Sequence, residues 1–295
     1  MKHIFLVNKI SGKGTAYNNI DTIKKVCEEL GVDYKIEVTE YPGHCEEIVK
    51  SYNDQKDITI YSVGGDGTYL DVVNAINNDI PIGLIPCGSG NDYYRYFGGI
   101  NKDYENLIRN TIKNEPIVVD CGINNYMKFA NTTSLGIDAK INFDASKMIR
   151  KTIITKGPAY ILSIIANAII LKPCNVKMFV DGVDYSGSYY IISCMNGRFY
   201  GNGVEASPSS DLTDGYFDLV LYKKNTRFQV YKTLIKYLSG KATEKDNVQR
   251  IRCKHIEIDS ENEMECQSDG ENYMTNHLVI DMLEKYIKLK ISKWK

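Results

Sequence analysis

Apolar and polar positions along this chain change their period near residue 118. Before that point, short apolar runs alternate with amphipathic segments. HIFLVN (3–8) reads as a buried strand, and NNIDTIKKVCEELG (18–31) as an amphipathic helix closed by Gly31. DYKIEVTE (33–40) predicts the next strand and HCEEIVKSYND (44–54) the next helix. DITIYSV (57–63) is an apolar run that leads into a glycine turn, YLDVVNAINN (69–78) is helical, and IPIGLIP (80–86) is a short buried strand. Strands separated by helices of this length indicate βαβ units around a mostly parallel sheet.

After that point the runs become strand-like: IVVDCGI, YMKFANTTSLG, NVKMFVDG, DYSGSYYIISCMN, YFDLVLYK, RIRCKHIEIDS and HLVIDML, with D-G and N-G type turns between several of them. Such a series predicts an antiparallel sandwich. Two helical segments interrupt it, at about 143–171 and 226–239. The pattern therefore predicts an α/β domain over 1–118 and a mostly β domain over 119–283. The tail KYIKLKISKWK alternates apolar residues with lysine, as an edge strand guarded by charge would.

Composition narrows the function classes. The 295 residues are 43% apolar and 25% charged, with a net charge of -1, which argues against a general nucleic-acid binder. Eight scattered cysteines include no C-x-x-C pair, so neither thiolate metal spacing nor a disulfide scaffold is indicated. The N-terminus MKHIFLVNKISG has too short an apolar run for a signal peptide. Reduced thiols and a cytoplasmic protein are expected. The longest apolar stretch, AYILSIIANAIIL (159–171), falls short of the roughly 20 residues that span a bilayer.

The candidate chemistry lies in three glycine turns. SVGGDGT (62–68) follows a strand and precedes a helix, so its backbone N–H groups and the helix N-terminus can face one anionic ligand. A carboxylate, Asp66, in a phosphate-holding turn calls for a magnesium ion or a substrate hydroxyl between it and the phosphate. The alternative is a tight turn with an exposed aspartate. NKISGKGT (8–15) and PCGSGNDYYRYFG (86–98) also leave the carboxyl ends of strands, where open α/β sheets bind ligands. Neither G-x-G-x-x-G nor a Walker A loop is present.

These elements, in this order and spacing, resemble the catalytic domain of the diacylglycerol kinase family, particularly its soluble bacterial lipid kinases. Sphingosine and ceramide kinases are relatives. G-G-D-G-T is shared with NAD kinases, whereas PCGSGND favours the lipid kinases. NGRFYGNGVEASPSSDLTDGYFDLVL (196–221) and SDGENY (268–273) resemble second-domain motifs of the same family. NKIS departs from the family's N-P-x-S by lacking the proline.

The resemblance implies an NAD kinase/phosphofructokinase-like first domain, to which the tail 284–295 returns, and Mg²⁺-dependent transfer of phosphate from ATP in a cleft between domains. Gly64, Gly65, Gly67 and Thr68 would contact the phosphates, and Asp66 would orient the metal or the acceptor. Asn8, Ser11, Gly12 and Lys13 would cover the nucleotide, and Gly88, Ser89, Asn91 and Asp92 would line its pocket. Arg95 either pairs with Asp92 or reaches phosphate. Glu271 would be the general base for the lipid hydroxyl, and Asp120 a metal–nucleotide residue. Asp214, with the backbone carbonyls of Asp211 and Tyr216, would hold a structural magnesium.

Diacylglycerol is the expected acceptor, with phosphatidic acid as product. A sphingoid base, phosphatidylglycerol, NAD, or a catalytically silent nucleotide- or lipid-binding regulator are the alternatives. The basic and apolar segment 146–171 either docks on the inner membrane surface or forms core. A homodimer is a further implication of the resemblance.

Overall fold

The computed structural model describes residues 1–99, 103–137, 139–144, 172–223, 236 and 248–293. The helical segments expected at 143–171 and 226–239 therefore fall almost wholly outside the described residues, as does the membrane-docking alternative for 146–171. The chain forms two compact units, one of residues 1–121 and 284–295, the other of residues 122–283.

The first unit is built on strands β1 (Lys2–Asn8), β2 (Asp33–Thr39), β3 (Ile58–Gly64) and β4 (Ile82–Pro86), paired in parallel in the order β2-β1-β3-β4. A turn of Ser11–Gly14 and the short helix α1 (Thr15–Asn18) lead into α2 (Ile20–Leu30). Helices α3 (His44–Tyr52), α4 (Asp66–Ala75), α5 (Asp92–Arg95) and α6 (Tyr104–Lys113) follow, then β5 (Ile117–Asn124). Ile4 to Val7 of β1 are all buried, which is what a central parallel strand covered on both faces requires. In α2, Ile23, Val26 and Cys27 form the buried stripe, and Gly31, with φ of 63°, closes the helix in the left-handed conformation.

Two buried basic side chains shape this sheet. Lys290 is 6% exposed, and its ammonium donates to the Ile112 carbonyl in the last turn of α6, at 2.8 Å. That position favours a cation. His3 is 5% exposed, with Nδ1 2.8 Å from the Tyr61 hydroxyl. Burial, then the Lys290 charge, holds the His3 imidazole down at about 4. The native state thus keeps His3 neutral while the unfolded chain takes up a proton below about 6.5. Stability from this group is present above the unfolded value and is lost as the pH falls through the folded one, on the order of 3 kcal/mol in all. Urea unfolding from pH 7 to 4 should show this slope in the wild type and a flatter one in His3→Gln. Equal slopes would exclude His3 as the source.

The second unit contains β6 (Lys128–Phe129), β7 (Thr132–Gly136), β8 (Cys174–Val180), β9 (Val183–Asp184), β10 (Gly187–Met195), β11 (Phe199–Tyr200), β12 (Val204–Glu205), β13 (Phe217–Lys223), β14 (Val248–Cys253), β15 (His255–Ser268) and most of β16 (Glu271–Lys290). Its strand pairs are antiparallel: β14 on β13, β13 on β10, β10 on β7, β7 on β15 and β15 on β16, with β8 bridging β10 and β15. This is the α/β-plus-sandwich fold class that the pattern predicts.

Strand β10 buries both faces. Ile192 and Cys194 join a core with Phe129, Phe217 and Ile256, while Tyr190, Ile191 and Met195 join another with Val220 and Tyr222. A register shift between Tyr189 and Ile191 turns two successive side chains to one side. The sequence runs HLVIDML and KYIKLK, read as separate strands, form the continuous β16. Its last residues, Leu289 and Lys290, pair in parallel with Ile82 and Gly83 of β4 in the first unit. Lys285, with φ of 51°, marks the left-handed step within that strand.

Candidate active site

The parallel register aligns the carboxyl ends of three strands: Val7 of β1 lies opposite Val63 of β3, and Gly64 opposite Pro86 of β4. The loops after β1, β3 and β4 therefore leave one edge of the sheet. They pack on one another backbone to backbone. Gly64 O accepts the N–H groups of Cys87 at 2.7 Å and Gly88 at 3.1 Å. A Cβ on Gly88 would lie 2.4 Å from Gly65 Cα, and one on Gly12 would lie 1.9 Å from the Cys87 carbonyl oxygen. Gly12 also has φ of 58°. These glycines are thus required by the close approach of the loops themselves, before any ligand is considered.

Side chains then pin the loops. Asn8 Nδ2 donates to Thr68 Oγ1 at 3.0 Å, and Asn8 Oδ1 accepts the Ile10 N–H. Asn91 is 3% exposed, has φ of 51°, and clasps Gly88 twice: Oδ1 accepts the Gly88 N–H at 2.9 Å, and Nδ2 donates to the Gly88 carbonyl at 2.7 Å. Asn tolerates the left-handed region better than most residues. Lys13 is exposed and also left-handed, with φ of 58°. A non-glycine residue held there is the kind of local strain that collects at ligand-binding loops. Gly67 and Ser89 are exposed, while Thr68 is buried.

Asp66 joins two of these loops. It opens α4, and its Oδ1 accepts the Tyr93 N–H at 3.3 Å at the start of α5. Burial holds its carboxyl above the usual carboxylate range, opposed by backbone N–H groups of Asp92, Tyr93 and Asn91. The carboxylate in the glycine turn therefore caps the neighbouring short helix. It remains half-buried rather than sealed. Asp92 is 8% exposed and lies 3.4 Å from Arg95 Nε, which also donates to Gly90 O. Arg95 thus takes the pairing role. Asp120 is 1% exposed, and its Oδ1 accepts the Lys285 N–H at 2.7 Å, so the contact seen here is with the returning backbone.

In the second unit, Ser268 and Glu271 face each other across a two-residue turn, with Asp269 at φ of 46° and Gly270 at 95°. Both central residues are left-handed, as a tight hairpin with D-G requires. The Asp269 carboxylate accepts the N–H groups of Ala130 at 2.6 Å, Asn131 at 3.1 Å and Thr132 at 2.8 Å. Gln267 Oε1 accepts the Gly270 N–H, and Asn142 Nδ2 donates to the Gly270 carbonyl. Beneath the turn, Thr133, Ser268, Tyr273 and Asn124 share a buried hydrogen-bond cluster. The backbone carrying Glu271 is thus fastened on several sides, while the Glu271 side chain itself is exposed.

Sequence reasoning missed Asp269 and Asn124. D-G marked the turn, but nothing in the sequence marked the three amides that the aspartate receives.

Asp214, the one side chain expected to hold a structural magnesium, is already committed to protein donors and does not fit a resident divalent cation. Asp214 Oδ2 is ion-paired with Arg252 Nη2 at 2.5 Å, and Oδ1 accepts the Tyr216 N–H at 3.0 Å. Asp211 Oδ1 is turned back onto the N–H and hydroxyl of Thr213. None of the eight cysteines forms a disulfide. Burial pushes the thiols of Cys45 and Cys87 up to about 12, so they stay protonated and inert at neutral pH. Among the described residues, no helix is long and apolar enough to cross a membrane.

Comparison with known proteins bears on both units. The model of the diacylglycerol kinase catalytic domain matches residues 2–123, and that of the YegS C-terminal NAD kinase beta sandwich-like domain matches residues 131–289. A putative lipid kinase of Bacillus subtilis (strain 168), YtlR, is 24% identical over 290 residues, covering 92% of this chain and 94% of its own. A diacylglycerol kinase of the same organism is 23% identical over 269 residues, covering 90% of this chain and 88% of its own. The crystal structure of a putative diacylglycerol kinase from Bacillus anthracis str. Sterne superposes with a TM-score of 0.77 at 21% identity, over 98% of this chain and 96% of that one.

Proposed function

Because the chain belongs to the diacylglycerol kinase catalytic-domain family, with the YegS-type sandwich as its second part, we propose that it transfers the γ-phosphate of ATP to the hydroxyl of diacylglycerol, giving phosphatidic acid. Relatives of this chain carry the names lipid kinase and diacylglycerol kinase. The observation that carries the reading is the packing of three glycine loops at one sheet edge, with a carboxylate, Asp66, held between two of them.

In this reading the N–H groups of Gly64, Gly65 and Gly67, the N-terminus of α4, and Ser11, Gly12 and Lys13 bind the ATP phosphates. Thr68 already accepts from Asn8, which leaves its hydroxyl hydrogen to donate. Gly88, Ser89, Asn91 and Asp92 shape the nucleotide pocket, and Asp120 accepts the Lys285 N–H of the returning strand. Asp66 is the carboxylate in these loops that suits the Mg²⁺ accompanying ATP. Its raised carboxyl pKa, caused by burial, is the cost that a bound cation would offset. When bound, that ion neutralises phosphate charge. Glu271 accepts the proton of the lipid hydroxyl as its oxygen attacks the γ-phosphorus; the hydroxyl O–H bond breaks, and ADP leaves. A lipid acceptor also places the working enzyme at a membrane surface, on its cytoplasmic side.

The test is transfer of labelled γ-phosphate from ATP with Mg²⁺, offering diacylglycerol in mixed micelles beside a sphingoid base, phosphatidylglycerol and NAD⁺. Labelled phosphatidic acid is the expected product. Label in another lipid alone would move the acceptor but keep the lipid-kinase reading. Label in NADP⁺ would sink it, and no label with ATP still bound would make the chain a silent binder.

A further inference from the structure

The loop before β13 carries Asp211, Asp214 and, at the start of the strand, Asp218. Such a concentration of carboxylate calls for a cation. Asp218 is 8% exposed and accepts the hydroxyls of Ser209 and Ser210, and Asp211 is turned onto Thr213. Asp214 remains. Strand β14 runs antiparallel to β13 with Arg252 opposite Asp218, so the Arg252 side chain reaches back over the turn.

Its guanidinium meets Asp214 Oδ2 at 2.5 Å and lies 4.5 Å from the centre of the Tyr216 ring. Lys254 places a second cation 4.6 Å from the same ring. The Tyr216 N–H in turn donates to Asp214 Oδ1. One turn thus holds an ion pair, a backbone hydrogen bond to the same carboxylate, and two cation–π contacts.

We propose that Arg252 is the resident cation of the Asp211–Tyr216 turn, doing for Asp214 what a structural divalent metal would otherwise do. A guanidinium suits the place. It is always charged, pairs with carboxylate through a planar fork and stacks on an aromatic face. A divalent ion at Asp214 would have to displace it and would be repelled by it and by Lys254. The turn is then ordered without any metal, and this holds whether or not the kinase reading does.

Thermal unfolding and Mn²⁺ binding by electron paramagnetic resonance, both without nucleotide, test the proposal. The wild type should unfold at the same temperature in EDTA and in millimolar Mg²⁺, and should have no Mn²⁺ site that Asp214→Asn removes. Arg252→Gln should unfold about 2–4 °C lower in EDTA. It should recover in Mg²⁺ and gain one Mn²⁺ site, which Asp214→Asn then abolishes. A lowered midpoint without Mn²⁺ uptake would still assign the cation's place to Arg252. A wild-type Mn²⁺ site lost in Asp214→Asn would overturn the proposal. So would an Arg252→Gln protein with a wild-type midpoint and no added site.

Discussion

Replacing Glu271 by glutamine is expected to lower phosphoryl transfer to lipid by about 10²–10⁴-fold, the usual worth of a positioned general base. ATP binding and the unfolding midpoint should stay at their wild-type values. The reason lies in the hairpin. Asp269, Gln267 and Asn142 hold its backbone, so the turn does not depend on the Glu271 side chain, which faces solvent. Glutamine keeps the shape and polarity of glutamate but cannot take up a proton. Turnover with diacylglycerol micelles, a nucleotide titration and a thermal melt separate the effects. Unchanged turnover would remove Glu271 from the chemistry, and a parallel fall in ATP affinity would move it to the nucleotide site.

Asp66→Asn should give the opposite signature: a loss of stability together with a loss of MgATP binding and turnover. The carboxylate accepts N–H groups at the start of α5. An amide there turns an NH₂ group towards backbone donors, leaving buried N–H groups without acceptors. Such a loss costs about 1–3 kcal/mol. Because α5 follows the Gly88–Asn91 clasp, loosening it also loosens the loop that approaches Gly65.

The pH dependence provides a second readout. Burial raises the folded-state pKa of Asp66 above 3.8, so its titration contributes stability that is fully present below that value and is lost as pH rises through the folded value. Asp66→Asn removes that contribution. Urea unfolding and a nucleotide titration would check the pair of losses; wild-type stability with wild-type MgATP affinity would exclude Asp66 from both roles.

Much of the fold was legible because parallel strands and amphipathic helices carry their burial in their period. Ile4–Val7 and the stripe Ile23, Val26 and Cys27 are examples. The single strand Glu271–Lys290 was not legible. Its two apolar runs are separated by polar residues, and a left-handed step at Lys285 falls where the second begins. The glycine turns were visible, but the reason for their glycines was not. Phosphate approach is a property of a turn read alone, whereas the contact of Gly88 with Gly65, or of Gly12 with Cys87, joins residues far apart in sequence.

The sequence by itself determined the two kinds of sheet, the three glycine turns after parallel strands, and the D-G hairpin, because each rests on local periodicity or on residues with unusual backbone freedom. Partnership was decided by the tertiary structure. Asp66 became a cap for α5, Asp120 an acceptor for the Lys285 N–H, Asp269 an anchor for three amides, and Asp214 the partner of Arg252. A carboxylate's sequence neighbours do not reveal which donor reaches it. That depends on strand register and on loops brought together from distant positions, which only the folded chain supplies.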